Sequence, residues 1–165
     1  MMFRVFGVEQ NSFVDGPGVR MAIFFQGCLR HCEGCHNPGS WPMYGGEKRD
    51  TEEFKKMMVS DPLLSGITLS GGEPFFQPQA ALDLACFAHS RGLTVWCYSG
   101  YTFEEINEWE DNRKALLHAI DVLVDGPFEI DRMSLDIPWR GSTNQRLVDV
   151  KKSLEKGEVV LYDAE

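Results

Sequence analysis

The chain has 165 residues, 43% of them apolar, and a formal net charge of −9. That length suits one domain around one core, spanning 1–165. The acidic balance argues against a nucleic-acid surface, which is usually basic. The opening "MMFRVFGVEQ" lacks the apolar stretch and small-residue cleavage site of a secretory signal. No apolar run approaches the roughly 20 residues of a membrane span. The expectation is a cytoplasmic protein with neither a nucleic-acid nor a membrane partner. The five cysteines are an odd number with three clustered, which argues against a disulfide framework. In a reducing compartment such a cluster points to metal or redox chemistry.

Strand and helix signals alternate along the chain. "FRVFGVEQNSF" reads as a short edge strand or hairpin, and "VRMAIFFQG" (19–27) as a β-rich run ending at the first cysteine. "GSWPMYGGEK" (39–48) reads as loop, rich in Gly and Pro. "DTEEFKKMM" predicts a helix with Asp50 as N-cap and Glu53 closing a capping box. "GITLS" (66–70) is the next strand, and it runs through "GGEP" into a helix from about Pro78 to Arg91. There Ala81, Leu84, Ala85 and Ala88 mark the apolar face, and Gly92 the stop. "LTVWCY" (93–98) is a strand, followed by "SGY" and a helix capped by Thr102 with Glu105 three residues on. A short helix around 113–119 leads to the strand "DVLVDG" (121–126). "RLVDV" and "EVVLYD" predict short final strands around a helical turn at 151–155.

Strands separated by helices imply an α/β fold with a parallel sheet. The chain is too short for a closed eight-fold barrel of roughly 250 residues, so a partial, open, (β/α)-barrel-like sheet is expected. In such sheets the working site lies at the C-terminal ends of the strands. "GCLRHCEGC", "GGEP", "SGY" and "DGPF" all fall on that rim.

Cys28, Cys32 and Cys35 are spaced C-x3-C-x2-C. Thiolates suit iron–sulfur clusters or zinc. A structural zinc site would want a fourth ligand, which His31 or His36 could supply. The sharper reading is a [4Fe–4S] cluster on three thiolates, with one iron left open for substrate. Cys86 and Cys97 read as buried small hydrophobes. Gly71 and Gly72 let backbone approach a ligand closely, and Glu73 places a carboxylate beside them that suits an ammonium group.

The cysteine motif together with "SGGEP" resembles the radical S-adenosylmethionine enzymes. "DGPGVR" and "CHNPGSW" resemble the glycyl-radical-enzyme activases within them. "DVLVDGPFE" and "WRGSTNQR" resemble, more narrowly, the activating proteins of anaerobic ribonucleoside-triphosphate reductases. Gly34 departs from the superfamily's usual aromatic residue, and a small residue there resembles the reductase-activating subgroup. The resemblance implies that Cys28, Cys32 and Cys35 hold a [4Fe–4S] cluster whose fourth iron binds S-adenosyl-L-methionine. Reductive cleavage would give a 5′-deoxyadenosyl radical, which takes a hydrogen from one glycine of the reductase large subunit. It places Gly34 and Cys35 near the adenine, with His36 beside them as a cofactor contact or a packing residue, Ser99 near the methionine portion and Asp125 in the pocket lining; Gly71, Gly72 and Glu73 are read as binding the ligand.

Asn144, Gln145 and Arg146 are expected near the cofactor or the partner's glycine loop. Asp15 and Arg20 are read as facing the partner or as part of a loop. Reduced flavodoxin or ferredoxin is the usual class of electron donor, and related activases can pair as homodimers. The alternatives are an activase of another glycyl-radical enzyme, a small-molecule radical enzyme such as the deazaguanine synthases, and a non-catalytic zinc or iron–sulfur module.

Overall fold

The computed structural model describes residues 1–35 and 38–163. In chain order it contains β1 (Met2–Ser12), β2 (Arg20–Phe25), β3 (Glu47–Asp50), α1 (Thr51–Ser60), β4 (Gly66–Gly71) and α2 (Pro78–Ser90). There follow β5 (Thr94–Tyr98), α3 (Phe103–Asn107), α4 (Asn112–His118), β6 (Val122–Asp125), β7 (Arg146–Asp149) and α5 (Val150–Lys156). Among the described residues, no helix is long and apolar enough to cross a membrane.

All seven strands form one open sheet in the order β3-β1-β2-β4-β5-β6-β7. The four central strands run parallel, as expected for segments linked through helices. They are nearly continuous apolar runs because both faces are covered. Both flanks depart from the expected parallel pattern. β1 is antiparallel to both β2 and β3, and β7 is antiparallel to β6. The turn between β1 and β2 is too short for a crossover helix, which forces antiparallel pairing. The long segment between β6 and β7 folds over the rim and returns as a strand.

β3 falls partly inside the stretch expected to be loop. Its sequence, Glu47-Lys48-Arg49-Asp50, has no apolar alternation to betray a strand. It forms because its backbone pairs with Met2 to Val5 at the sheet edge, where charged side chains also discourage further pairing. Asp50 caps α1 through the Glu52 N–H, but Glu53 closes no box: its carboxylate takes two bonds from Arg49. The capping box on α3, between Thr102 and Glu105, forms as expected. "EVVLYD" makes only a single bridge, Leu161 to Val148.

α2 buries Ala80, Ala81, Leu84, Ala85 and Ala88 against the sheet. Cys86 lies off that face and is exposed, contrary to the expected burial, whereas Cys97 in β5 is wholly buried. The C-terminal ends of β2, β4, β5 and β6 (Phe25, Gly71, Tyr98 and Asp125) form one rim, and the loops above it border an open cavity of about 380 Å³.

Candidate active site

Three loops meet at the rim because β4 leaves the sheet directly against the cysteine loop. Gly71 has φ +94°, and a Cβ there would lie 2.5 Å from the Phe25 nitrogen. A Cβ on Gly72 would lie 2.4 Å from the Gly27 carbonyl oxygen. The glycines therefore serve close approach, first of all to the protein's own backbone. That packing lets the Gly72 N–H donate to Phe25 O at 2.7 Å and the Glu73 N–H to Gly27 O at 2.8 Å. The "SGGEP" turn is thereby fixed beside Cys28.

Cys28, Cys32 and Cys35 line the cavity together with Glu73 and Ser99. The cysteine loop is a tight excursion, in which the Cys35 N–H donates to Cys32 O at 3.0 Å and the Cys28 N–H to Trp41 O at 3.0 Å. His31 adopts φ +48° and stacks its ring on Trp41 at 4.5 Å. Burial raises the Cys28 thiol pKa, against the backbone N–H groups of Arg30 and His31, which donate toward its sulfur. Among the described residues, no three His, Cys, Asp or Glu side chains converge on a single ion. Thiolates that each take a different iron of a cluster need not converge in that way.

Glu73 is 1% exposed, yet its carboxylate sits in the cavity wall. It accepts from Ser99 Oγ at 3.0 Å, the Gly100 N–H at 2.8 Å and the Phe75 N–H at 3.2 Å. Burial pushes its pKa up to about 7, against those three donors. A buried acid held by neutral donors is suited to a cation brought by a ligand.

The expected site residues separate on this geometry. The three cysteines, Gly71, Gly72, Glu73 and Ser99 all line the cavity. Gly34 and Asp125 stand outside the lining, and His36 lies outside the described residues. Gly34 has φ +75°, a left-handed backbone conformation that a side chain strains, and a Cβ there would also displace the Ile130 Cδ1 atom 2.6 Å away. Asp125 turns to the protein: it accepts the Phe103 N–H at 2.8 Å and pairs with Arg146, which also reaches Glu104. Arg146 is thus an internal brace. Gln145 does line the cavity, where its Oε1 accepts from Gly141 N and its Nε2 donates to Gly126 O. Asn144 donates to Pro127 O. Arg20 faces no partner: it is fully buried, bonded to Thr68, Ile67 and Thr94 and seated against Trp96.

Sequence reasoning missed Arg30, Tyr98 and Trp139 in the cavity wall. Tyr98 donates its hydroxyl to Trp139 O at 2.6 Å, and Trp139 holds φ +59°. The signal available was proximity alone, since Arg30 lies inside the cysteine motif and Trp139 inside "WRGSTNQR".

A "4Fe-4S single cluster domain" matches residues 14–148. The anaerobic ribonucleoside-triphosphate reductase-activating protein of Enterobacteria phage T4 is 34% identical, over 82% of this chain and 87% of that protein. The pyruvate formate-lyase-activating enzyme of Clostridium pasteurianum is 38% identical, over 67% of this chain and 50% of that protein. A solved structure, QueE from Escherichia coli, overlaps 62% of this chain and 54% of its own at 14% identity and TM-score 0.47. The chain belongs to the single-cluster 4Fe–4S family, and within it to the family of the reductase-activating proteins.

Proposed function

We propose that this protein activates an anaerobic ribonucleoside-triphosphate reductase by forming a glycyl radical on it. One observation carries the reading: three thiols and a buried, cation-seeking carboxylate open onto the same cavity at the C-terminal rim. The other two cysteines, Cys86 and Cys97, lie outside its lining. The relatives' function agrees with it.

The donor set fits a [4Fe–4S] cluster with S-adenosylmethionine at its open iron. Together these groups would supply reductive C–S cleavage and abstraction of a glycine hydrogen. The protein's residues do the rest. Cys28, Cys32 and Cys35 would hold the cluster through their thiolates. Glu73 takes the ligand's ammonium, and Ser99 with the Gly100 N–H keeps that carboxylate aimed. Gly71 and Gly72 set the turn that carries it. Phe128 and Trp139 line the same cavity. The electron would come from a reduced flavodoxin or ferredoxin.

The test is anaerobic reconstitution with iron and sulfide, then addition of reductant, S-adenosylmethionine and the reductase. A glycyl-radical signal in electron paramagnetic resonance is expected. Cys32→Ala should abolish S-adenosylmethionine cleavage, while Cys86→Ala should spare it. A protein that binds zinc and no acid-labile sulfide, or a fully active Cys32→Ala variant, overturns the reading.

A further inference from the structure

Arg30 stands midway between two clustered cysteines, in Cys28-Leu29-Arg30-His31-Cys32. Its side chain crosses from the cysteine loop to the loop that carries Ser99 and Gly100. The guanidinium carbon lies 4.6 Å from the centroid of the Tyr101 ring, and Nη2 reaches Glu105 Oε2 on α3 at 3.7 Å. Gly100 makes this path available, because a Cβ there would lie 2.5 Å from Arg30 Cδ. Arg30 lines the cavity beside Cys28 and Cys32, and its charge also acts on the Glu73 carboxyl.

One group of this side chain is unused. Arg30 Nε is buried and has no hydrogen-bond partner among the described residues. Buried donors are normally satisfied, so an orphan in a cavity wall marks a place where an acceptor arrives with a ligand. Neither neighbour provides that acceptor: Tyr101 offers a ring face, and Glu105 meets Nη2. Within the cavity the anionic acceptors nearest in the chain would be the cluster sulfurs held at Cys28 and Cys32.

Resting on the cluster reading above, we propose that Arg30 is a positioning residue that raises the reduction potential of the cluster. One-electron reduction adds a negative charge at the site. A cation held in the same cavity wall stabilises the reduced form more than the oxidised one. A hydrogen bond from Nε to a cluster sulfur works in the same direction. Glu105 and Tyr101 hold the guanidinium from outside. The fold thus ties the cysteine loop to α3 and places a cation at the cluster with one brace.

The experiment is a potentiometric titration of reconstituted protein with dithionite, followed by electron paramagnetic resonance, with iron and sulfide measured in parallel. Arg30→Gln should shift the midpoint to more negative potential at unchanged iron and sulfide content, and Arg30→Lys should recover most of that shift. An unchanged midpoint in fully loaded Arg30→Gln overturns the inference. Should Arg30→Gln fail to load, Tyr101→Leu, which takes away the ring on which the guanidinium packs, should give the negative shift instead, and its unchanged midpoint overturns the inference. Wild-type protein that takes up no iron and sulfide overturns the cluster reading itself, and this inference with it.

Discussion

Two carboxylates stand at the rim, Glu73 after β4 and Asp125 at the end of β6, each 1% exposed. Asp125 is neutralised from within. Arg146 Nε reaches its Oδ1 at 3.0 Å, Arg146 Nη2 bonds its other oxygen, and the Phe103 N–H caps it at 2.8 Å. Those pairings also raise the Arg146 pKa. Glu73 accepts from three neutral donors, and the Arg30 charge acts on it less than they do. A buried carboxylate costs stability unless a cation accompanies it. At Asp125 the chain supplies that cation and obtains a brace between β6, β7 and α3. At Glu73 no cation bonds the carboxylate, Arg30 acting on it only through its charge, and the acid stays available to a ligand.

The largest effect expected from breaking this contrast is on stability, at Asp125. Asp125→Ala removes the partner of Arg146 and leaves the Phe103 N–H without its acceptor. Losing one member of a buried pair costs about 3–5 kcal/mol in a dry interior. Arg146 is 33% exposed and keeps Glu104, so about 2 kcal/mol is expected here. Urea unfolding should show that loss, while the folded, loaded fraction should bind S-adenosylmethionine with near wild-type affinity. A variant with wild-type stability and tenfold weaker ligand binding would mean that Asp125, too, serves the ligand.

Glu73 should behave in the opposite way. Glu73→Gln should weaken S-adenosylmethionine binding by about tenfold or more, the loss of roughly one charge-assisted contact. The wild-type affinity should also depend on pH. Folding raises the Glu73 pKa from 4.5 to about 7, so between those values the folded protein holds a proton that the unfolded chain releases. On this account stability without ligand falls as pH rises across that window and is level above it. A cationic ligand favours the ionised form, so affinity should rise over the same window and fall as pH drops below about 7. Calorimetric titration of loaded protein across that range checks the slope. Glu73→Gln should flatten it.

The contrast between the two acids was not legible in the sequence, and the reason is physical. "GGEP" and "DGPF" look alike as strand-end acids beside glycine. What separates them is Arg146, whose side chain reaches back from the antiparallel strand β7 to the end of β6. Sequence spacing does not show that pairing. The parallel core, the three-thiol loop and the Asp50 and Thr102 caps were readable, because buried β runs, clustered thiols and side-chain caps leave local signals. β3 was not, since backbone pairing at a charged edge leaves none. Cys86 was misread because a short apolar window hides which side of α2 a residue takes. Gly34 was legible as a departure from a pattern. Its cause, the left-handed backbone at φ +75°, needed the fold.

The smallest effect concerns what aims Glu73. Ser99 Oγ donates to Glu73 Oε1 at 3.0 Å and accepts the Tyr101 N–H at 3.0 Å. Ser99→Ala removes one of the three donors that favour the ionised carboxylate, while burial is unchanged. The pH at which affinity for S-adenosylmethionine declines should therefore move upward, by about one unit or less, since one neutral hydrogen bond is worth about 1 kcal/mol. Stability should fall by about 1 kcal/mol as well, because the Tyr101 N–H loses its acceptor. Binding at high pH should be close to wild type, since the carboxylate is ionised there with or without the hydroxyl. If Ser99→Ala instead lowered affinity equally at every pH, the hydroxyl would be touching the ligand itself, and the anchoring role given to Glu73 would have to be divided between the two side chains.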